Sequence, residues 1–398
     1  MLARGLRAYL SSFHGLSRDI WMLALITLIN RSGSMVMPFL SVYMTNKLGF
    51  GLQEAGWVLA AFGFGSLLGA FFGGKITDKI GYFPVMFFSL FLGGCMFIGL
   101  MWIRELWEMI IYIFLLSAVY DLFRPANLVS ISAYSKSENR TRSMTLVRLA
   151  INLGFSVGPA MGGVLAFQVG YTSLFIADGL TCIAAALTLL VFLRPRAAAR
   201  EPTNRGVTKA GFAPWQSKVF LRFIFFVMMN AIVFMQLFGT LPVYFKQQMH
   251  FTERTIGMLM ALNGLLVVVF EMPLIYATEK KRPGLKMIAA GAMLMALAYP
   301  VLVFIGDSTY SALFCILLIS AGEMLSFPFS NTFALEQAPA GRSGDYMGWY
   351  SMGFSLGFIL APLIGLGLAG ILGFHGLWLL IGLLGLLTAL GFWRFVRS

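Results

Sequence analysis

Several charged side chains stand inside long apolar stretches of this sequence, among them Arg31, Asp121, Arg124, Arg148, Glu271 and Glu323. A charge in an apolar helix is costly, so each needs a partner or a task. Asp121 and Arg124 are three residues apart and share a helix face, as do Arg148 and Asn152, four apart. Asp121, Arg124 and Arg148 therefore read as a charge network that stays ionised and gates or braces the helices. Glu271 follows Asn263 by eight residues, and Asn331 follows Glu323 by eight, so each acid roughly shares a face with an amide. No basic residue lies near either acid on its own helix. A buried carboxylate of that kind can load and release a proton as its surroundings alternate, which makes Glu271 and Glu323 proton-coupling candidates. Arg31, about 18 Å into its helix by rise per residue, reads with Asn30, Asn230, Gln236, Asn263 and Asn331 as the polar lining for a bound organic molecule.

The elements that carry these residues are membrane helices. The 398-residue chain is 59% hydrophobic and 11% charged, where a soluble chain carries about 25% charge. Apolar runs fall at about 20–44, 53–74, 83–103, 108–130, 143–167, 170–193, 219–245, 254–277, 285–305, 309–332, 345–369 and 372–393. Each is long enough to cross a hydrocarbon core of about 30 Å. The runs are continuous rather than alternating, which excludes a β-barrel. An all-α polytopic protein with twelve transmembrane helices follows.

The net charge of +13 is topology, not a nucleic-acid signal. Most Lys and Arg, including Arg4, Arg7, Lys75, Arg194, Lys280, Lys281, Arg282 and Arg394, fall on one face, and Lys47, Arg104, Lys246 and Arg254 fall on the other. The positive-inside rule then places both termini in the cytoplasm. Cys95, Cys182 and Cys315 lie within spans and read as packing residues. Three histidines form no metal set, and no phosphate-binding Gly–Lys–Ser/Thr loop is present, so neither a metal nor a nucleotide cofactor is expected. The first apolar run is too long for a signal-peptide core and is expected to remain as the first span.

A long basic segment, 194–218, divides the chain into an N-terminal six-helix bundle, 1–193, and a C-terminal one, 219–398. The halves echo each other: Val42-Tyr43 with Val243-Tyr244, Gly56 with Gly257, Thr77-Asp78-Lys79 with Thr278-Glu279-Lys280, and Leu153-Gly154-Phe155 and Pro159 with Leu356-Gly357-Phe358 and Pro362. A parallel repeat of this kind goes with a site near mid-membrane and rocking of one half against the other.

Two motifs add a resemblance. Gly74-Lys75-Ile76-Thr77-Asp78-Lys79-Ile80-Gly81 resembles the loop 2–3 signature of the major facilitator superfamily, although Phe83 and Pro84 stand where basic residues usually follow. The resemblance implies that superfamily's fold, two six-helix bundles related by a pseudo-twofold axis, with spans 1, 4, 7 and 10 lining a central cavity. It makes Asp78 and Lys79 a conformational latch and Gly74 and Gly81 its turn residues. In span 5, Gly154, Gly158, Pro159, Gly162 and Gly163 form a GPxxGG pattern that resembles the one found in drug:H⁺ antiporters of the superfamily. Small residues let helix backbones approach, and Pro159 permits a kink, so the pattern reads as a hinge or seal. Asp178, on span 6, reads as an interface residue. The resemblance implies a secondary transporter, not an enzyme, that exports small amphipathic compounds against a proton gradient. The alternative is a proton-coupled importer of peptides, sugars or siderophore-like metabolites. The expected partners are a small-molecule substrate, protons and the lipid bilayer. A monomer in a bacterial inner membrane is expected, with no nucleic acid.

Overall fold

Apolar side chains on every face commit these segments to helix, because only internal hydrogen bonds can satisfy a backbone in lipid. The structure, a computed structural model, describes residues 16–135, 140–196, 212–278, 284–337, 339 and 343–397. Arg4, Arg7, most of the basic linker, and Lys280, Lys281 and Arg282 lie outside the described residues. Among those described, eleven helices are long and apolar enough to cross a membrane, and the last, Tyr346–Phe395, spans 50 residues. Gly373 divides that last one: its φ of 70° and ψ of 169° break the helix Ser343–Arg397 into spans 11 and 12. The positive φ suits glycine, which has no Cβ to clash.

Spans 2, 3, 5 and 6 are Leu52–Ile80, Tyr82–Gly99, Arg140–Gln168 and Thr172–Phe192. Spans 8, 9 and 10 are Glu253–Thr278, Gly284–Phe304 and Thr309–Glu336. The other three are interrupted. Span 1 consists of Arg18–Ser32 and Val36–Asn46. Span 4 consists of Leu106–Tyr120 and Phe123–Tyr134, with Asp121 in the turn between them. Span 7 consists of Lys218–Gly239 and Leu241–Gln247, with the chain bending at Thr240.

The chain forms two compact units, one of Met1–Val36 with Phe64–Glu201 and one of Met37–Gly63 with Pro202–Ser398. In the first, span 1 packs on spans 5 and 6, and span 3 packs on span 6. Its core gathers Ile20, Leu23, Met86, Phe123, Val147 and Leu189 from five spans. In the second, spans 7 and 11, 8 and 10, and 9 and 10 pair, around Phe220, Phe223, Ile288, Tyr346 and Phe392. Met37–Gly63, the second part of span 1 and the first part of span 2, belongs to this unit, where a Cβ on Gly56 would stand 2.9 Å from the Pro362 carbonyl oxygen.

One end of the first unit is tied by polar contacts. Ser17 caps span 1 by accepting from the Ile20 amide, and its hydroxyl donates to the Tyr134 carbonyl at 2.8 Å. The Tyr134 hydroxyl donates to the Arg194 carbonyl, the Arg196 amide donates to the Tyr82 hydroxyl, and the Arg196 guanidinium pairs with Asp19. The start of the linker is thereby held against spans 1, 3 and 4.

Candidate functional site

In the first unit the polar residues gather around the interruption in span 1. The inner helix ends at Ser32, the Ser34 amide turns back to the Arg31 carbonyl, and a new helix starts at Val36. A helix start leaves amide N–H groups without intrahelical partners. Here Asp178, on span 6 and 1% exposed, fills that role: its carboxylate accepts from Met35 N at 3.0 Å and Val36 N at 2.9 Å. A carboxylate at a helix N-terminus is favoured by the dipole as well as by the hydrogen bonds, each about 1.5–3 kcal/mol when one partner is charged.

Asn30 and Arg31 sit just before the break. Asn30 is fully buried; its Oδ1 accepts from the Tyr120 hydroxyl at 3.3 Å and its Nδ2 donates to Cys182 Sγ at 3.5 Å. The Arg31 guanidinium lies 5.8 Å from the Tyr120 ring centroid and 5.5 Å from that of Phe155, a cationic group over two aromatic rings. Its Nε is buried with no hydrogen-bond partner among the described residues. Asp121, 8% exposed, faces the Ser66 hydroxyl and the cations Arg31 and Arg124. The turn at Asp121 places its carboxyl in the interruption of span 4 rather than on an unbroken helix face. Arg124 and Arg148 are exposed.

Span 5 explains how a broken helix can be packed. A Cβ on Gly154 would stand 2.4 Å from Arg31 Cβ, one on Gly158 3.2 Å from the Ser34 carbonyl oxygen, and one on Gly162 2.9 Å from Met35 Cβ. The glycines of GPxxGG therefore lie along span 1 from Arg31 to Met35, across the interruption. Pro159 and Gly163 are buried in the same helix, which continues through the proline.

In the second unit, spans 7, 8 and 10 bring a separate set together. Asn263 Nδ2 donates to Ser320 Oγ at 3.0 Å and to Glu323 Oε2 at 3.2 Å. Asn230 Nδ2 donates to Ser326 Oγ at 2.9 Å. Glu271 is 9% exposed on span 8, and Asn331 is exposed on span 10. Gln236 is held in packing: its Nε2 donates to the Ala361 carbonyl at 3.0 Å, and its Oε1 accepts from Thr240 at 2.6 Å. Ser320 and Ser326 were not singled out from the sequence, although each lies three residues from Glu323. Tyr120, next to Asp121, was missed in the same way.

The loop 2–3 motif is described in backbone only at its acid, because the Asp78 side chain lies outside the described residues. Lys79 is exposed at the end of span 2. Gly81 has φ +88°, which a residue with a Cβ rarely adopts, whereas a Cβ on Gly74 would meet nothing within 4 Å.

These helices, with Arg31 and Asp121 at interruptions of spans 1 and 4, define a helical membrane protein. The sequence profile of the Major Facilitator Superfamily matches residues 20–357, and the chain belongs to that superfamily. It is 26% identical to the multidrug resistance protein MdtH of Aeromonas salmonicida, covering 93% of both chains. It is 24% identical to a Na⁺, Li⁺, K⁺/H⁺ antiporter of Planococcus maritimus, covering 84% of this chain and 85% of that one. Among solved structures, a POT family transporter in complex with a thioalcohol-conjugated peptide superposes with a TM-score of 0.81 at 15% identity, covering 97% of both chains. That likeness concerns the fold.

Proposed function

We propose that this chain is a proton-driven exporter of small amphipathic organic compounds working by alternating access. The observation that carries the reading is the Asn263–Glu323 hydrogen bond, with Glu271 buried on the same span as Asn263. In this reading the two acids carry the protons. Asn263 also donates to Ser320, so its amide keeps a partner when Glu323 takes up a proton. Asn30, Arg31, Asn230, Asn263 and Asn331 contact the substrate, while Gln236 braces span 7 against span 11. Asp121, Arg124 and Arg148, with Asp78 and Lys79, act in gating. Two bundles, 1–193 and 219–398, rock about the linker 194–218 with both termini cytoplasmic, and the proton gradient is the only energy source. The protein works as a monomer in a bacterial inner membrane. Similarity to a multidrug resistance protein and to a cation/H⁺ antiporter supports this direction of transport.

The test uses everted vesicles acidified inside, with a quenched dye reporting the pH difference. Cationic dyes, antibiotics, peptides and sugars are added in turn to the parent, Glu271→Gln and Glu323→Gln. A compound that dissipates the gradient in the parent but in neither variant supports the reading. Dissipation that survives both substitutions removes the two acids from the mechanism. Uptake driven by protons in right-side-out vesicles, with no response in everted ones, replaces export by import.

A further inference from the structure

Asp178 lies outside the proton and substrate roles assigned above, yet it makes a specific polar contact in the first unit. Both of its carboxylate oxygens are engaged: Oδ1 accepts from Met35 N at 3.0 Å, and Oδ2 from Met35 N at 3.3 Å and Val36 N at 2.9 Å. Span 6 supports the break at two further points. Thr181 lies so close to Gly33 that a Cβ there would fall 1.8 Å from its Oγ1, and Cys182 accepts from Asn30. Asp178, Thr181 and Cys182 occupy one face of the helix, at spacings of three and four residues. That face holds the last turn of the inner helix, the break itself and the first amides of the next helix.

Two observations mark the break as more than a feature of the fold. The first of the two segments that form the first unit ends at Val36, so the chain passes into the second unit one residue beyond the amides that Asp178 holds. The repeat does not copy the arrangement. Span 7 is unbroken helix from Lys218 to Gly239, through the stretch equivalent to Arg31–Met35, and span 12 carries no charged residue between Leu377 and Leu390. At the equivalent positions of the other half neither a buried carboxylate nor a broken helix occurs: span 7 is interrupted at Thr240 instead, and span 12 offers no carboxylate there. Neither is stable alone: a carboxylate in an apolar span needs donors, and a helix start in an apolar span needs acceptors.

We propose that Asp178 is a positioning residue that anchors a hinge in span 1, holding the Met35 and Val36 amides and so fixing Asn30 and Arg31 at the end of the inner helix. The outer helix Val36–Asn46 can then change its angle about Gly33–Met35 while its first amides remain satisfied. Charge, geometry and the glycine stripe of span 5 all converge on those three residues. Asn at 178 offers one acceptor oxygen and no charge; Leu offers neither.

The experiment is hydrogen–deuterium exchange by mass spectrometry on the purified full chain in nanodiscs, comparing the parent, Asp178→Asn, Asp178→Leu, Val36→Pro and the double variant Asp178→Leu/Val36→Pro. In Asp178→Asn, exchange in peptides covering 33–40 is expected to rise about tenfold, while peptides from span 3 keep the parent rate. Val36→Pro removes one of the amides that Asp178 serves, at a position where proline suits a helix start. It is therefore expected to lessen the damage of Asp178→Leu, which a residue acting only by filling space would not permit. The thiol of Cys182, tested with N-ethylmaleimide after Cys95→Ser and Cys315→Ser, is expected to become more reactive in Asp178→Asn as Asn30 loses its place. Unchanged exchange at 33–40 in Asp178→Asn overturns the proposal. So does a uniform rise across all spans, or a double variant worse than the sum of its parts. None of these readouts needs a substrate, so they stand or fall apart from the export reading.

Discussion

Arg31 shows what a single side chain does here. Its guanidinium lies over the rings of both Tyr120 and Phe155, and a planar cation stacks on aromatic faces as an ammonium cannot. Arg31→Lys is expected to lower the stability of the purified chain by about 1 kcal/mol, read from thermal unfolding in detergent. The loss should shrink when Phe155→Leu is already present, because one face is then gone. Asn263 provides the second residue-scale prediction. Asn263→Ala removes the amide that donates to both Ser320 and Glu323. A pH profile of transport that shifts in Asn263→Ala, while Asn331→Ala leaves it in place, is the expected outcome. At this scale the sequence identified the acids and amides from their cost in an apolar helix. It did not identify Ser320, Ser326 or Tyr120, which became relevant only when spans packed and supplied partners for them.

At the scale of an element, the GPxxGG pattern has a concrete meaning. Its glycines remove side chains where span 5 crosses the broken backbone of span 1. Gly154→Val would force at least a methyl-sized group into a 2.4 Å gap, and overpacking of this kind costs about 1–3 kcal/mol. Gly74→Ala is the matched control: nothing lies within 4 Å, and alanine favours helix, so stability is expected to hold or rise. Gly81→Ala should cost about 1–3 kcal/mol, because its backbone, φ 88° and ψ 160°, is one that only glycine adopts readily. Fluorescence-detected thermal melts of the three variants give the order directly. A destabilised Gly74→Ala with an unaffected Gly154→Val would contradict the packing account. The sequence marked this helix as a place of close approach. It could not name the neighbour, because small residues state only that something comes near.

For the whole molecule, the second part of span 1 and the first part of span 2 pack within the second unit. A Cβ on Gly56 would stand 3.5 Å from Leu366 Cβ, inside the range that a disulfide tolerates, once the backbone gives enough to relieve the 2.9 Å approach to the Pro362 carbonyl. In a background with Cys95, Cys182 and Cys315 replaced by serine, Gly56→Cys with Leu366→Cys is expected to cross-link under mild oxidation. Transport of any compound found in the vesicle assay should then stop and return with a reducing agent. A cross-linked protein that still transports would show that this contact does not have to open.

Length and composition by themselves determined a helical membrane protein with twelve spans, because lipid leaves the backbone no other way to satisfy its hydrogen bonds across such apolar runs. The loop 2–3 and GPxxGG patterns pointed to the superfamily that the comparison then established. What only the tertiary structure decided is where helices break and who holds the ends. Arg31-Ser32-Gly33-Ser34 carries a weak local signal for a break, since serine and glycine favour helix less than their neighbours do. Apolar context overrides such a signal in most spans. Here it prevails because Asp178, 143 residues away in sequence, supplies the acceptor that the Met35 amide needs. A carboxylate and an orphan amide are each costly in an apolar span, and only folding can bring them together.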